Sequence, residues 1–476
     1  MWTLYIALLH LLKINPETGA NSANLVLAFG VIFQSLKILE KYFDTTVLGK
    51  IILSLFLVLN GTFIVWTTGG LESMLFTFLI MWGLKTTLDV NTGIRWGVKN
   101  GLIWGLCILT RPEGAVLAAI AGIWKFTDYL LMKDKKTFEF KSILLSGLIM
   151  GTIFLSHNIF RIIYYGSILP NTWYAKIYEI PLDFRISHGL YYFSSFIFNY
   201  NLQYLLLFIP AAFLSENRKW KPFFPLTAAV LFLTGNIVVS GGDFMAMHRL
   251  FLPALPIAGI LLVHSIITIQ KNLTHKYSGH LVTITLGCIL LLSDAYGSFT
   301  VLKKGIFFEK TQYRMESVAG MVHFVRDREI AGKKLKRLLE ITNQKNLKIA
   351  VGGAGAISYF LESSYIIDSF GLNDPVTARK KVKPGKFYKA GHLKQASWKY
   401  LKSKNPDILC SPGIATIGEK PPSVKYARRV LQYWRHYKYF CLAEKYSSTD
   451  TGRRRNYYCC IIRDDVAPEI KRIKPL

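Results

Sequence analysis

Long apolar runs recur along the chain as far as Tyr296 and then stop. Runs at Leu25–Leu39, Leu48–Trp66, Met74–Leu88, Ser142–Tyr165, Tyr191–Leu214, Phe223–Val239, Leu250–Ile269 and Leu281–Tyr296 predict membrane spans. Gly101–Thr110 and Ala115–Phe126 are shorter, and each falls below the roughly 20 residues needed to cross a bilayer. Between them stands Thr-Arg-Pro-Glu-Gly at Thr110–Gly114. Two charges and a proline at membrane depth are costly unless they face an aqueous cavity or a ligand. Arg111 and Glu113 are therefore candidate functional residues. The plainer alternative is an ion-paired cap joining two helices. Met1–Leu12 is apolar but too short to span, and Lys13 ends it, so it predicts an interfacial helix.

The pattern changes after about Ser298, where apolar runs shorten to strand length. Glu316–Glu329 has helical periodicity. Leu347–Val351 reads as a strand ending at Gly352-Gly-Ala-Gly355, followed by a helix through Leu361 and a second strand at Tyr365–Asp368. Strand, glycine turn, helix and strand predict a small α/β sheet. The glycine spacing is wrong for a dinucleotide fingerprint and reads as a tight turn. Phe440–Tyr446 and Tyr457–Ile462 predict a terminal hairpin. The expected division is a transmembrane domain over 1–297, with 1–12 as the interfacial helix, and a soluble α/β domain over 298–476.

Composition agrees with a membrane protein: 51% of residues are hydrophobic and mean hydropathy is +0.29. Net charge is +29, from 58 Lys plus Arg against 29 Asp plus Glu. The charge is spread over many loops, which argues against a nucleic-acid partner and leaves membrane lipid as the expected one. Basic clusters at Lys37–Lys50, Arg95–Lys99, Lys133–Lys141, Arg218–Lys221 and Lys271–Lys276 predict cytoplasmic loops. Alternation then puts Thr67–Ser73, Thr110–Gly114, Gly166–His188, Ser240–Arg249 and everything after Tyr296 on the other side. The basic runs Lys333–Arg337 and Arg453–Arg455 read as solvated faces.

The unusual polar stretches all fall on that second side. Arg111, Lys176, His248 and Arg249 can hold a phosphate through charge-assisted hydrogen bonds. Glu72, Glu113 and Asp243 can bind hydroxyls, orient a cation or coordinate a divalent metal. Asn171 and Tyr174 can hydrogen-bond a donor or acceptor, although Pro170-Asn171 equally suits a turn. For each cation the plainer fate is snorkelling to lipid head groups. Such a set suits a lipid phosphate whose tail lies in the bilayer.

Gly70-Leu-Glu72, Leu109-Thr-Arg-Pro-Glu-Gly114, Leu169-Pro-Asn-Thr-Trp-Tyr-Ala-Lys176 and Gly241-Gly-Asp-Phe-Met245 occur in this order. Together they resemble the GT-C superfamily of polyprenyl-phosphate-dependent membrane glycosyltransferases, nearest to the bacterial terminal β-arabinofuranosyltransferase-like family. Asp368-Ser-Phe-Gly-Leu-Asn-Asp374, Pro384-Gly385 and Gly391-His392 resemble that family's extracytoplasmic domain. The resemblance implies a multi-pass α-helical bundle of about nine or ten membrane segments with a C-terminal extracytoplasmic α/β domain, in a bacterial cytoplasmic membrane. It also implies sugar transfer from a polyprenyl-phosphate donor to an envelope glycan, lipid or protein acceptor, with inversion in a single displacement. Family members carry an acidic loop of the form Asp-Asp-Ala-Phe after a first helix, which includes the presumed base. Met1–His10 resembles the stretch just after that loop, so the acidic pair is expected to be missing here and the catalytic residue is unassigned. Two further readings are a GT-C scaffold that binds lipid-linked sugar without catalysis, and a transporter with a broken helix around Arg111.

Cysteines refine this little. Cys107 and Cys288 fall in predicted spans, and Cys441 can bridge to Cys459 or Cys460 across the hairpin.

Overall fold

A computed structural model of the chain describes residues 1–43, 45–89, 93–131, 137–202, 220–273, 276–308, 313–382, 392–414, 416–418, 422–445 and 455–466. Residues 203–214, Arg218, Pro384-Gly385, Gly391, Tyr446, Arg453, Arg454 and parts of the basic loops at Lys133–Lys141 and Lys271–Lys276 lie outside the described residues. The chain divides into two compact units. One comprises Met1–Ile168, Leu182–Phe308 and Arg314–Ser317; the other comprises Leu169–Pro181, Glu309–Tyr313 and Val318–Leu476.

The first unit is helical. Its elements are α1 (Trp2–Leu11), α2 (Pro16–Tyr42), α3 (Val47–Leu59), α4 (Gly61–Thr67), α5 (Ser73–Leu88), α6 (Ile94–Thr110), α7 (Glu113–Leu130) and α8 (Thr137–Tyr165). After α9 (Asn171–Lys176) of the second unit come α10 (Leu182–Asn199), α11 (Trp220–Ser240), α12 (Leu255–Leu273) and α13 (Lys276–Lys304). Among the described residues, Pro16–Tyr42, Glu139–Tyr165, Pro222–Ser240 and His280–Lys304 are each long and apolar enough to cross a membrane. The pair α3 and α4, bent by 63°, is apolar and long enough together to form a broken span or a re-entrant loop. These lengths fit a membrane-embedded protein. On α8 the exposed Leu144, Leu148, Leu155, Ile159 and Ile163 make an apolar stripe suited to lipid.

Close helix contact depends on small residues, as expected where lipid competes with side-chain packing. Gly97, Gly101 and Gly105 recur one turn apart on α6 and face α8. A Cβ at Gly101 would lie 2.8 Å from the Ser146 carbonyl oxygen, and one at Gly97 would lie 2.6 Å from that of Ser142. Asn100 sits between them and donates to Ser146 Oγ at 3.0 Å.

The run Leu48–Trp66 is not one continuous helix. Asn60 breaks it, with ψ at 121°. Its side-chain oxygen accepts the amides of Thr62 and Phe63 and so caps α4. Its Nδ2 donates to Asp294 on α13 at 2.9 Å, and the Gly61 amide donates to Ser298 Oγ at 2.7 Å. The bundle is also polarised. At the C-terminal ends of α2 and α5, Asp89 accepts from Lys41 at 2.6 Å and from Tyr42 at 3.1 Å, with Lys85 at 3.4 Å. The buried Lys125 donates to the Asp89 carbonyl at 2.8 Å.

The second unit carries a six-stranded sheet: β3 (Lys348–Val351), β4 (Tyr365–Asp368), β5 (Ile408–Cys410), β6 (Thr416–Gly418), β7 (Tyr437–Lys445) and β8 (Arg455–Arg463); β1 (Ile306–Phe308) and β2 (Tyr313–Met315) precede it in the chain. The order is β4-β3-β5-β8-β6, with β7 paired to β8. β3 is parallel to both β4 and β5, whereas β8 runs antiparallel to its partners. Helices α14 (Val318–Ile341), α15 (Ala356–Tyr359), α16 (Pro375–Ala378), α17 (Trp398–Ser403) and α18 (Val424–Tyr433) complete the unit. Strand alternation sorts two cores. Ile349, Val351, Ile408 and Ile462 pack with Ala331, Leu335 and Leu338 of α14 and Ile357 of α15. Ala350, Leu409 and Ile461 pack with Leu401 of α17 and with Val430 and Trp434 of and just after α18.

Two disulfides fasten β8. Cys459 bonds to Cys441 on β7, and Cys460 bonds to Cys410 on β5. Adjacent residues point to opposite faces, so one bridge lies on each side of the sheet.

This packing makes two measurable demands. Gly101→Val must push α6 off α8 and should destabilise the purified chain by about 1–3 kcal/mol, read as earlier thermal unfolding in detergent. Replacing Cys410 and Cys460 together by Ala should cost about 2–4 kcal/mol through lost chain-entropy restriction. Unchanged denaturant midpoints for the sheet's tryptophan signal would contradict that second value.

Candidate functional site

The charged residues at the N-terminal end of α5 and at the α6–α7 junction come together. Glu72 is the N-cap of α5, and Arg111 is the C-cap of α6. Proline at 112 cannot continue α6, and Glu113 opens α7, where a carboxylate is favoured by the helix dipole. Arg111 bridges the two acids: Nη2 lies 3.1 Å from Glu113 Oε1, Nε 3.5 Å from Glu113 Oε2, and Nη1 3.4 Å from Glu72 Oε1. Its guanidinium also lies 5.5 Å from the Phe76 ring centroid. The loop bearing Glu72 is held from outside by Trp2 Nε1 on the Gly70 carbonyl and by Asn24 Nδ2 on the Leu71 carbonyl.

The third contributor is the turn Gly241–Arg249. Gly241 and Gly242 have φ of 87° and 73°, a region glycine enters freely. Met247 and His248 also have positive φ, at 56° and 45°. Left-handed backbone at such residues costs roughly 1–2 kcal/mol each. Asp243 is buried and accepts from Arg249 Nη2 at 2.5 Å. The Arg249 guanidinium lies 5.5 Å from the ring centroid of Trp66, whose Nε1 donates to the Ala246 carbonyl at 3.1 Å. Asp243 also lies within electrostatic reach of Arg111. The five groups Glu72, Arg111, Glu113, Asp243 and Arg249 therefore form one cluster at one end of the helical unit.

His248 faces inward rather than into this cluster. It is fully buried, with Nε2 2.7 Å from Ser195 Oγ and Nδ1 3.5 Å from the Tyr200 hydroxyl. Ser195 donates to the Tyr192 carbonyl, so Nε2 carries the proton in this pairing. Tyr200 in turn meets Thr62 Oγ1 at 3.4 Å. The imidazole thus ties the strained turn to α10 and α4.

Asn171, Tyr174 and Lys176 lie on α9, within the second unit. Asn171 Nδ2 donates to the carbonyls of Gly371 and Leu372 at 2.9 and 3.0 Å. The Arg379 guanidinium lies 4.1 Å from the Tyr174 ring centroid. Lys176 is the last residue of α9. Lys394, which sequence reasoning missed, is buried and donates to the carbonyls of Tyr174, Tyr178 and Ala378 at 2.6–2.7 Å. Burial pulls its pKa down to about 8, opposed by nearby Glu179. Asn60, Ser195, Tyr200 and Asp294 were missed too. An aspartate inside the apolar run Leu281–Tyr296 is the one clear signal for that group.

Among the described residues, no group of three or more His, Cys, Asp or Glu side chains is arranged to hold a metal ion. In class, the chain combines an apolar helical bundle carrying a charged cluster at one end with a disulfide-fastened α/β unit. A family model described as a domain of unknown function (DUF8728) matches residues 311–459, the greater part of the sheet-bearing segment. No curated protein matches the chain.

Asn60 should prove essential to this geometry. Asn60→Ala removes the α4 cap and strips a donor from buried Asp294, at a cost of about 1–3 kcal/mol. The loss should appear as earlier unfolding and as freer Trp66, read by fluorescence quenching; wild-type behaviour in both would contradict it.

Proposed function

We propose that the chain is a GT-C-type glycosyltransferase that takes sugar from a polyprenyl-phosphate donor at the charged end of its helical unit. The observation that carries this reading is Arg249. Its Nη2 is fixed by Asp243 and its Cζ lies 5.5 Å from the Trp66 ring centroid, while Nε is buried without a hydrogen-bond partner among the described residues. A guanidinium so fixed offers a donor to an incoming phosphate oxygen at little ordering cost. Arg111, one helix end away, adds positive charge where the lipid phosphate leaves. Glu72 and Glu113 can accept from sugar hydroxyls beside it.

Polarity supports placing this end on the non-cytoplasmic side. The lysines around Asp89 gather at the opposite ends of α2 and α5, as cytoplasmic loops do. Disulfides on β8 fit an oxidising compartment for the second unit. In this reading the acceptor is an envelope glycan, lipid or protein, and displacement inverts the anomeric carbon.

A second reading has a specific observation behind it. Glu72, Glu113 and Asp243 are each engaged with an arginine, which suits binding of a lipid-linked sugar better than removal of an acceptor proton.

The test is transfer from synthetic polyprenyl-phosphate sugars by purified chain. Arg249→Ala and Asp243→Asn should each lower turnover by about 10²–10³-fold. Wild-type turnover in both variants would overturn the assignment. Donor binding without transfer by the parent chain would favour the second reading.

A further inference from the structure

In the second unit the strand order reverses around β3. The chain goes from β3 to β4 on one side, then back across to β5 on the other. Ligands of α/β sheets bind in the crevice that such a reversal opens at the carboxyl ends of the strands. Here the reversal is flanked by Gly352-Gly353-Ala354-Gly355 after β3 and Ser411-Pro412-Gly413 after β5.

The β5 side of this edge is closed. The Gly352 amide donates to the Cys410 carbonyl at 3.1 Å, and a Cβ at Gly352 would lie 2.8 Å from Pro412. Ser369 and Ser411 bond to each other at 2.6 Å, and Asp368 commits both oxygens to the amides of Phe370 and Asn373. The other side is different. The amides of Gly353, Ala354 and Gly355 donate to no protein acceptor among the described residues. A Cβ at Gly355 would meet nothing within 4 Å, so the loop borders open space there.

Arg328 of α14 stands at this loop. A Cβ on Gly353, whose φ is +71°, would lie 3.4 Å from Arg328 Nε. The guanidinium is stacked on Phe324, with Cζ 3.2 Å from the ring centroid, and Nη1 donates to the Phe324 carbonyl at 3.0 Å. Among the described residues Nε is buried without a hydrogen-bond partner, and no carboxylate accepts a hydrogen bond from Arg328. Burial works against its charge, lowering its pKa, with Tyr458 and Asp327 opposing. Three amides and a guanidinium stacked on Phe324, none of them hydrogen-bonded to a carboxylate among the described residues, thus share one edge.

We infer that this edge is an oxyanion site: the Arg328 fork and the amides of Gly353–Gly355 receive a phosphoryl or carboxylate group of a ligand. Guanidinium geometry favours two oxygens of one anion, and successive free amides favour concentrated negative charge. The inference concerns the second unit alone and is independent of the reaction proposed above.

The experiment measures binding to the full chain in detergent. Inorganic phosphate, a soluble sugar phosphate and acetate are titrated by calorimetry or by ³¹P and ¹³C line broadening. Wild-type chain should bind at least one of them below ~10 mM, and Arg328→Gln should weaken that binding about tenfold or more. Arg328→Lys should recover only part, since it restores charge without the fork. Arg326→Gln, an exposed neighbour on α14, should stay within about twofold of wild type. Preference for the sugar phosphate, for inorganic phosphate or for acetate tells which source the site takes. Equal affinity in wild type and Arg328→Gln, equal loss in Arg326→Gln, or no binding by wild type would overturn the inference. Unfolding midpoints of each variant separate lost binding from lost structure.

Discussion

The charged cluster of the helical unit depends on a buried pair outside it, Asn60 and Asp294. Asn60 does two jobs with one amide. Its oxygen starts α4, and its nitrogen satisfies one oxygen of an aspartate that is almost wholly inaccessible. The break releases the last carbonyls of α3 from the helical ladder, because Gly61, Thr62 and Phe63 give their amides to side chains instead. The 63° turn of α4 then delivers Trp66 to Ala246 and to the face of Arg249. Without the turn, α3 would continue straight and the loop carrying Asp243 would lose its support.

That dependence explains what could and could not be read from sequence. Arg111 and Glu113 announce themselves, because charges in an apolar run need a reason. The pairing of Arg111 with Glu72 does not, since it joins residues 39 positions apart through the packing of α5 against α6. Leu48–Trp66 reads as one span because asparagine in an apolar run looks like a tolerated polar residue. Only Asp294, 234 positions away, turns it into a break.

The second unit shows the same division. Strands at Leu347–Val351 and Tyr365–Asp368 are legible because their apolar residues are continuous and bounded by glycine or polar turns. The helix read over Glu316–Glu329 runs on to Ile341. Lys333–Arg337 lies within it, and Ala331, Leu335, Leu338 and Leu339 bury the opposite face at helical spacing. Cys441 could be matched to Cys459 or Cys460 but not assigned, since adjacent cysteines differ only in which face of the sheet they take. Cys410 has no local signal at all. Its partner is set by β5 lying beside β8.

Stability alone is a poor account of the cluster. Two guanidiniums and three carboxylates at helix ends incur a desolvation cost that well-packed apolar side chains would avoid, often with a gain in stability. The adjoining turn adds left-handed backbone at Met247 and His248, strain that surrounding structure must over-determine. Ser195 and Tyr200 supply that constraint by gripping the imidazole from behind. Desolvated charge and enforced strain, meeting at one end of an otherwise apolar bundle, are costs that packing alone does not require.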